Sequence, residues 1–164
     1  MSDHDLVLER VLDAPRDLVW KALTTPEHIR KWWAPRPYQT TDIALDLVPG
    51  GIFRMRMVGP DGFDTGTGGT GCVLDVAEGE RIVWTSALGP GWRPNDPGPA
   101  ADCGGFLFTA IMSIEDSPGG KTLYRATAMH KNLADAETHA KMGFHDGWGT
   151  CADQLGEVAA ELAR

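Results

Sequence analysis

The amino-acid sequence predicts an α+β fold: a curved antiparallel sheet of about six to seven strands gripping a long C-terminal helix, with two short helices after the first strand. Three observations predict it. Short runs of alternating apolar and polar residues recur between turns rich in proline and glycine, as antiparallel strands require. Two proline-opened helical segments follow the first such run. The chain then closes on an apolar stripe spaced at three and four residues, the pattern of one long amphipathic helix. A sheet with that many strands must curl around the helix to bury its stripe.

The elements follow in order. Leu6-Val7-Leu8-Glu9-Arg10-Val11-Leu12 is β-prone and opens the sheet. Pro15 has the fixed φ suited to a helix start, and Leu18, Val19, Ala22 and Leu23 continue with helical spacing. Thr25-Pro26 repeats that grammar, with Thr25 as the cap. Ile29, Trp32 and Trp33 form the apolar side of this second helix, and Pro35 and Pro37 stop it. Ile43, Leu45 and Leu47 alternate with Asp42, Ala44 and Asp46 as a half-buried strand. Pro49-Gly50-Gly51 is a type II turn into a strand with Phe53, Met55 and Met57 on one face and Arg54 and Arg56 on the other. Strands around 72–76 and 82–86, then Phe106–Met112 and Thr122–Met129, complete a meander, the last two joined by Pro118-Gly119-Gly120. Beyond Asn132 a short helix over 134–142 is expected, then a glycine break. A longer helix follows, carrying Phe144, Trp148, Cys151, Leu155, Val158, Ala159 and Leu162. The Gly/Pro-rich stretch from Gly89 to Gly105, with Trp92 in it, is long enough to serve as a lid.

Residues 1–164 read as one domain, large enough to bury a sizeable core. A net charge of −8 without a basic stripe argues against a nucleic-acid partner and against an anionic membrane surface. No apolar run approaches the ~18 residues of a membrane span. The start Ser2-Asp3-His4-Asp5 is charged, unlike a secretory signal, so a cytoplasmic location is expected. Cys72, Cys103 and Cys151 are odd in number and far apart, which reads as reduced thiols packed as small hydrophobes.

Gly66-Thr67-Gly68-Gly69-Thr70-Gly71 spells a dinucleotide-binding pattern, but that chemistry needs a following helix, and Cys72-Val73-Leu74-Asp75-Val76 is strand-like. Glycines that bend or bulge a strand are the better account. His139 and His145 are six apart and share no helical face, so the five histidines suggest no metal site. No Gly-x-Ser-x-Gly elbow is present, and no cysteine has a base beside it in sequence. No cofactor, metal or catalytic residue is therefore assigned.

The aromatic and methionine residues carry the strongest functional signal. Six tryptophans, one pair adjacent at Trp32-Trp33, sit in a chain of 20 glycines. Either they fill an unusually bulky core or they wall a cavity. The expected lining is Phe53, Met55, Met57, Trp84, Phe106, Phe108, Met129, Phe144 and Trp148, with His145 as a polar group and Trp33 and Trp92 at the rim. Arg54, Arg56, Arg125, His130 and Asp146 are further polar candidates. A small, largely apolar or aromatic ligand fits such a lining.

Particular local sequences carry a resemblance. They are Ala14-Pro15-Arg16, Val19-Trp20-Lys21-Ala22-Leu23-Thr24, Pro26-Glu27-His28, Lys31-Trp32-Trp33 with Pro35, and Asp46-Leu47-Val48-Pro49-Gly50-Gly51. Asp61-Gly62, Arg81-Ile82-Val83-Trp84-Thr85 and Gly147-Trp148 extend it over nearly the whole chain. With them the chain resembles the START-like (SRPBCC, helix-grip) superfamily, in the bacterial branch similar to heat-shock protein 90 ATPase activator homologues. The resemblance implies a cavity between sheet and terminal helix that takes an apolar or aromatic molecule. It also implies two alternatives: a co-chaperone-like activator of a heat-shock protein ATPase, and a cyclase- or hydrolase-type enzyme using His145 or His130 in the same cavity. The co-chaperone's additional N-terminal domain has no counterpart here, which favours ligand binding over chaperone activation. A homodimer is compatible with either.

Overall fold

A computed structural model of the chain describes residues 2–66, 70–97 and 106–164. The β-prone opening forms β1 (Asp5–Leu12), followed by α1 (Arg16–Thr24) and α2 (Pro26–Trp32). A meander then runs through β2 (Gln39–Leu45), β3 (Ile52–Val58), β4 (Gly71–Ala77) and β5 (Arg81–Thr85). A small hairpin, β6 (Leu88–Gly89) and β7 (Arg93–Pro94), brackets one 3-10 turn at Pro90–Trp92. Two long strands, β8 (Phe108–Ser117) and β9 (Lys121–His130), lead to α3 (Leu133–Lys141) and α4 (Phe144–Leu162).

Seven strands pair antiparallel in the order β1-β9-β8-β5-β4-β3-β2. The first two strands in sequence therefore occupy opposite edges, and α1 and α2 bridge them. Register shifts between Thr40 and Ile43, and between Val73 and Asp75, mark bulges that strengthen local twist. The sheet curls as the sequence predicts, and α4 lies in its concavity against α1, α2 and β1. Leu155, Val158 and Ala159 on α4 are buried against Leu8, Leu12, Met112 and Ile114 of the concave face. Each of these leucine, valine, isoleucine and methionine side chains contributes about 1.5–3 kcal/mol by leaving water.

Several boundaries have a local cause the sequence hid. Thr25 has the extended backbone of a cap, but its side chain makes no capping bond. The α1–α2 corner is held instead by Trp32, whose indole Nε1–H donates to the Ala22 carbonyl at 2.9 Å. Pro26, four residues on and lacking an N–H, leaves that carbonyl without its helical donor. The break before α4 falls at Gly143, at φ 95°, a left-handed conformation natural to glycine.

The expected lid is an ordered hairpin as far as it is described. Asn95 donates from its side chain to the Thr70 and Ser86 carbonyls at 2.9 and 3.1 Å. Trp92 lies over Gly50 in the β2–β3 turn, where any Cβ would meet its ring at 2.8 Å. The remainder of the Gly89–Gly105 stretch, from 98 to 105 and including Cys103, lies outside the described residues, as do 67–69 of the glycine run. Gly71 opens a strand, so no helix follows that run.

Candidate functional site

The concave face alternates as the strands dictate. Along β9, Thr122, Tyr124, Ala126, Ala128 and His130 turn inward, and Ala110 pairs with Ala128 on the neighbouring strand. These methyl side chains leave depth on the sheet for rings from elsewhere. At the His130 end that depth is taken by aromatic groups from six elements or their flanks.

Trp33, just past α2, tilts against Phe53 and Trp84 at centroid distances of 5.5 and 6.1 Å. Phe53 and Trp84 stack at 4.3 Å, 9° from parallel. Trp84 meets Phe108 edge-on at 5.5 Å. Phe108 continues to Trp148 at 6.0 Å, and Trp148 to Phe144 at 4.6 Å. The adjacent tryptophans thus divide labour. Trp32 is buried as the pin of the α1–α2 corner, while Trp33 points into the ring cluster.

Burial separates core from margin. Phe53, Trp84, Phe106 and Phe144 are buried, whereas Trp33, Met55, Phe108 and Trp148 pack on the core yet keep some surface accessible. Met57 is half-buried in β3. Trp84 is only 8% exposed, and its indole Nε1–H has no acceptor among the described residues. A buried, unpaired donor of this kind costs about 1–3 kcal/mol.

Two histidines stand at the far end of the cluster. His130 Nε2 lies 2.8 Å from His139 Nδ1, and His130 Nδ1 lies 2.8 Å from the His4 carbonyl oxygen. Phe106 and Phe108 each approach the His139 ring at 5.0 Å. Burial first, and the neighbouring His130 second, pull the His139 imidazole down to a pKa of about 4. It is uncharged at neutral pH. The turn that joins these rings is local: Asn132 caps α3 by accepting from the Asp135 N–H at 2.8 Å, which folds the helix back over the end of β9.

Other sequence-derived expectations need correction. Met129 alternates outward and is 39% exposed, and His145 and Asp146 are exposed on α4. Trp92 is 55% exposed over Gly50, away from the rings it was expected to join. The arginines serve ion pairs: Arg54 with Asp42, Arg56 with Asp64, and Arg125 with Glu9. Arg56 donates twice to Asp64, at 2.8 and 2.6 Å, and holds its carboxyl down at about 2, with help from the Gly66 N–H.

Sequence reasoning missed Gln154. It is buried on α4 and donates to the Trp32 and Ala34 carbonyls at 3.1 and 2.9 Å while accepting from the Arg36 N–H at 3.1 Å. Cys151 adds a thiol bond to the Trp33 carbonyl at 3.1 Å, and burial pushes that thiol up to about 12. It is a packing group at neutral pH, since the thiolate is the nucleophile. Together these side chains hold the segment bearing Trp33 against the terminal helix. An amide in an otherwise apolar stripe was the available signal.

Among the described residues no three His, Cys, Asp or Glu side chains gather to hold a metal. Two open clefts, of about 210 and 350 Å³, lie beside Pro37 and Gly59 and beside Trp20 and Val76; none of the clustered rings lines either one.

The comparisons with known proteins agree with this architecture. No functionally curated protein is significantly similar to the chain. Protein NE0264 from Nitrosomonas europaea is similar in structure, with 38% identity over 99% of this chain and 98% of its own, at a TM-score of 0.86. Ms6760 from Mycobacterium smegmatis shares the fold at 20% identity, covering 98% of this chain and 91% of its own, at a TM-score of 0.71. CalU16 from Micromonospora echinospora shares it at 19% identity, covering 98% and 79%, at 0.57. The family described as activator of Hsp90 ATPase homolog 1-like protein matches residues 13–160, almost the entire chain, and this protein belongs to that family.

Proposed function

We propose that this protein binds a small, largely apolar or aromatic molecule between its curled sheet and its C-terminal helix, at the cluster of Trp33, Phe53, Trp84, Phe108 and Trp148. The observation that carries this reading is the Trp84 indole N–H. Buried donors in folded proteins almost always find an acceptor, and this one, set among rings, has none among the described residues. A ligand oxygen placed there recovers that loss. The accessible sides of Trp33, Phe108 and Trp148 supply apolar area around it. Sites of this type combine an apolar lining with a few orienting polar groups.

Unpaired Cys72 and Cys151 suit a reducing compartment, and no described helix is long and apolar enough to cross a membrane. The reading is therefore of a cytoplasmic carrier or sensor. Thermal unfolding with a panel of small neutral aromatics tests it. Binding to the folded state alone raises stability by about 2.7 kcal/mol at a hundredfold excess over Kd. A panel that neither raises the melting temperature nor alters tryptophan fluorescence removes the proposal.

The family match favours a second reading, activation of a heat-shock ATPase. It predicts faster ATP hydrolysis by the bacterial chaperone on adding this protein, and an unchanged rate at micromolar concentrations ends it. Catalysis in the interior would rest on His130, which is buried, and not on the exposed His145.

A further inference from the structure

Two polar groups of the ring cluster, on His139 and Trp84, are of opposite kind, and the hydrogen bonds around His130 assign the first. A backbone carbonyl only accepts, so His130 carries its proton on Nδ1, toward His4. In that tautomer His130 offers the lone pair of Nε2, and His139 donates to it from Nδ1. That assignment leaves His139 Nε2 as a bare acceptor. Among the described residues no group partners it.

Trp84 Nε1–H is the complementary donor, buried and without an acceptor among the described residues. Phe108 lies between them, its centroid 5.5 Å from Trp84 and 5.0 Å from His139. Phe106, Phe144 and Trp148 complete the apolar wall around His139. Among the described residues the wall carries no formal charge. An anion would face the His139 lone pair with no cation among the described residues to balance it, and a cation would find no carboxylate among them. Burying either without a counter-charge is prohibitive.

We propose that the site selects an uncharged planar aromatic molecule bearing both a hydroxyl, which donates to His139 Nε2, and a carbonyl oxygen, which accepts from Trp84 Nε1–H. This rests on the ligand-binding reading above and adds the chemical class to it. The low pKa of the His139 imidazole supports the same picture, because it keeps Nε2 a lone pair across the neutral range. Sites built around hydrogen bonds to a ligand discriminate strongly against analogues that leave their buried groups unpaired.

Isothermal titration at neutral pH with five closely matched probes tests it. The probes are para-hydroxyacetophenone, para-ethylphenol (no carbonyl), para-methylacetophenone (no hydroxyl), para-ethyltoluene (neither) and the anion para-hydroxybenzoate. The expected order puts para-hydroxyacetophenone first, each single deletion about tenfold weaker, and the anion weakest. Trp84→Phe, which keeps the ring, should erase the preference for the carbonyl and leave the preference for the hydroxyl. His139→Phe should do the reverse. The probe series on the native protein decides the matter even if a variant fails to fold. Equal affinity for all four neutral probes, or tightest binding of the anion, overturns the donor–acceptor pairing while leaving an apolar site. Failure of every probe, para-ethyltoluene included, overturns the binding site itself.

Discussion

At the scale of single residues, two indole N–H groups with opposite surroundings make the sharpest contrast in the molecule. Trp32 donates to a carbonyl that a proline has left without its helical donor, so Trp32→Phe should cost about 1–3 kcal/mol in urea unfolding. Trp84 donates to no group among the described residues, so Trp84→Phe should leave stability unchanged or raise it. A large loss in Trp84→Phe would mean that its N–H has a partner after all. His139 adds a dependence on pH. Folded, it takes a second proton only near pH 4, because it is buried beside His130 among Phe106, Phe108, Phe144 and Trp148. Unfolded, it takes that proton near pH 6.5. The unfolded chain therefore binds more protons between those values, and stability is lost as the pH falls from 6.5 toward 4, by at most about 3 kcal/mol from this residue. Denaturant midpoints measured across that range should show the slope, and His139→Gln should flatten it.

At the scale of elements, the helices and strands were legible because proline, glycine and apolar period all agreed. Pro15 and Pro26 mark the two helix starts, Gly143 separates α3 from α4, and Gly50 turns β2 into β3. What sequence could not give was how elements are tied together. Thr25 looks like a cap, yet the corner is pinned by Trp32 from about two turns later. Gln154 looks like an interruption of the α4 stripe, yet it answers three backbone groups between Trp32 and Arg36. Gln154→Leu keeps the volume and strands those groups, so it should cost about 2–4 kcal/mol by urea unfolding, well beyond an exposed α4 substitution such as Glu161→Gln. Gly50→Ala adds a Cβ at φ 85° and into the Trp92 ring. A loss of at least about 1 kcal/mol is expected.

At the scale of the whole molecule, the curled sheet and gripping helix follow from pattern, since an apolar stripe must be covered and seven antiparallel strands can cover it only by bending. The candidate site was legible in part. Alternation placed Phe53, Trp84 and Phe108 inward, and the same rule applied one residue out of step put Met129 on the wrong face. His145 drew attention through its neighbour Asp146, whereas the histidine that reaches the interior is His139, carried there by the Asn132 turn. Spacing along one helix could not reveal a pair formed between a strand and the helix after it. The central claim is that Trp84 presents an unanswered donor to a guest. Its indole 1H–15N resonance, assigned by its absence in Trp84→Phe, tests this most directly during titration with para-hydroxyacetophenone. The account predicts that this resonance moves downfield to saturation while that of Trp32 stays fixed. A Trp84 resonance that never moves, with changes confined to exposed Trp92, would contradict it.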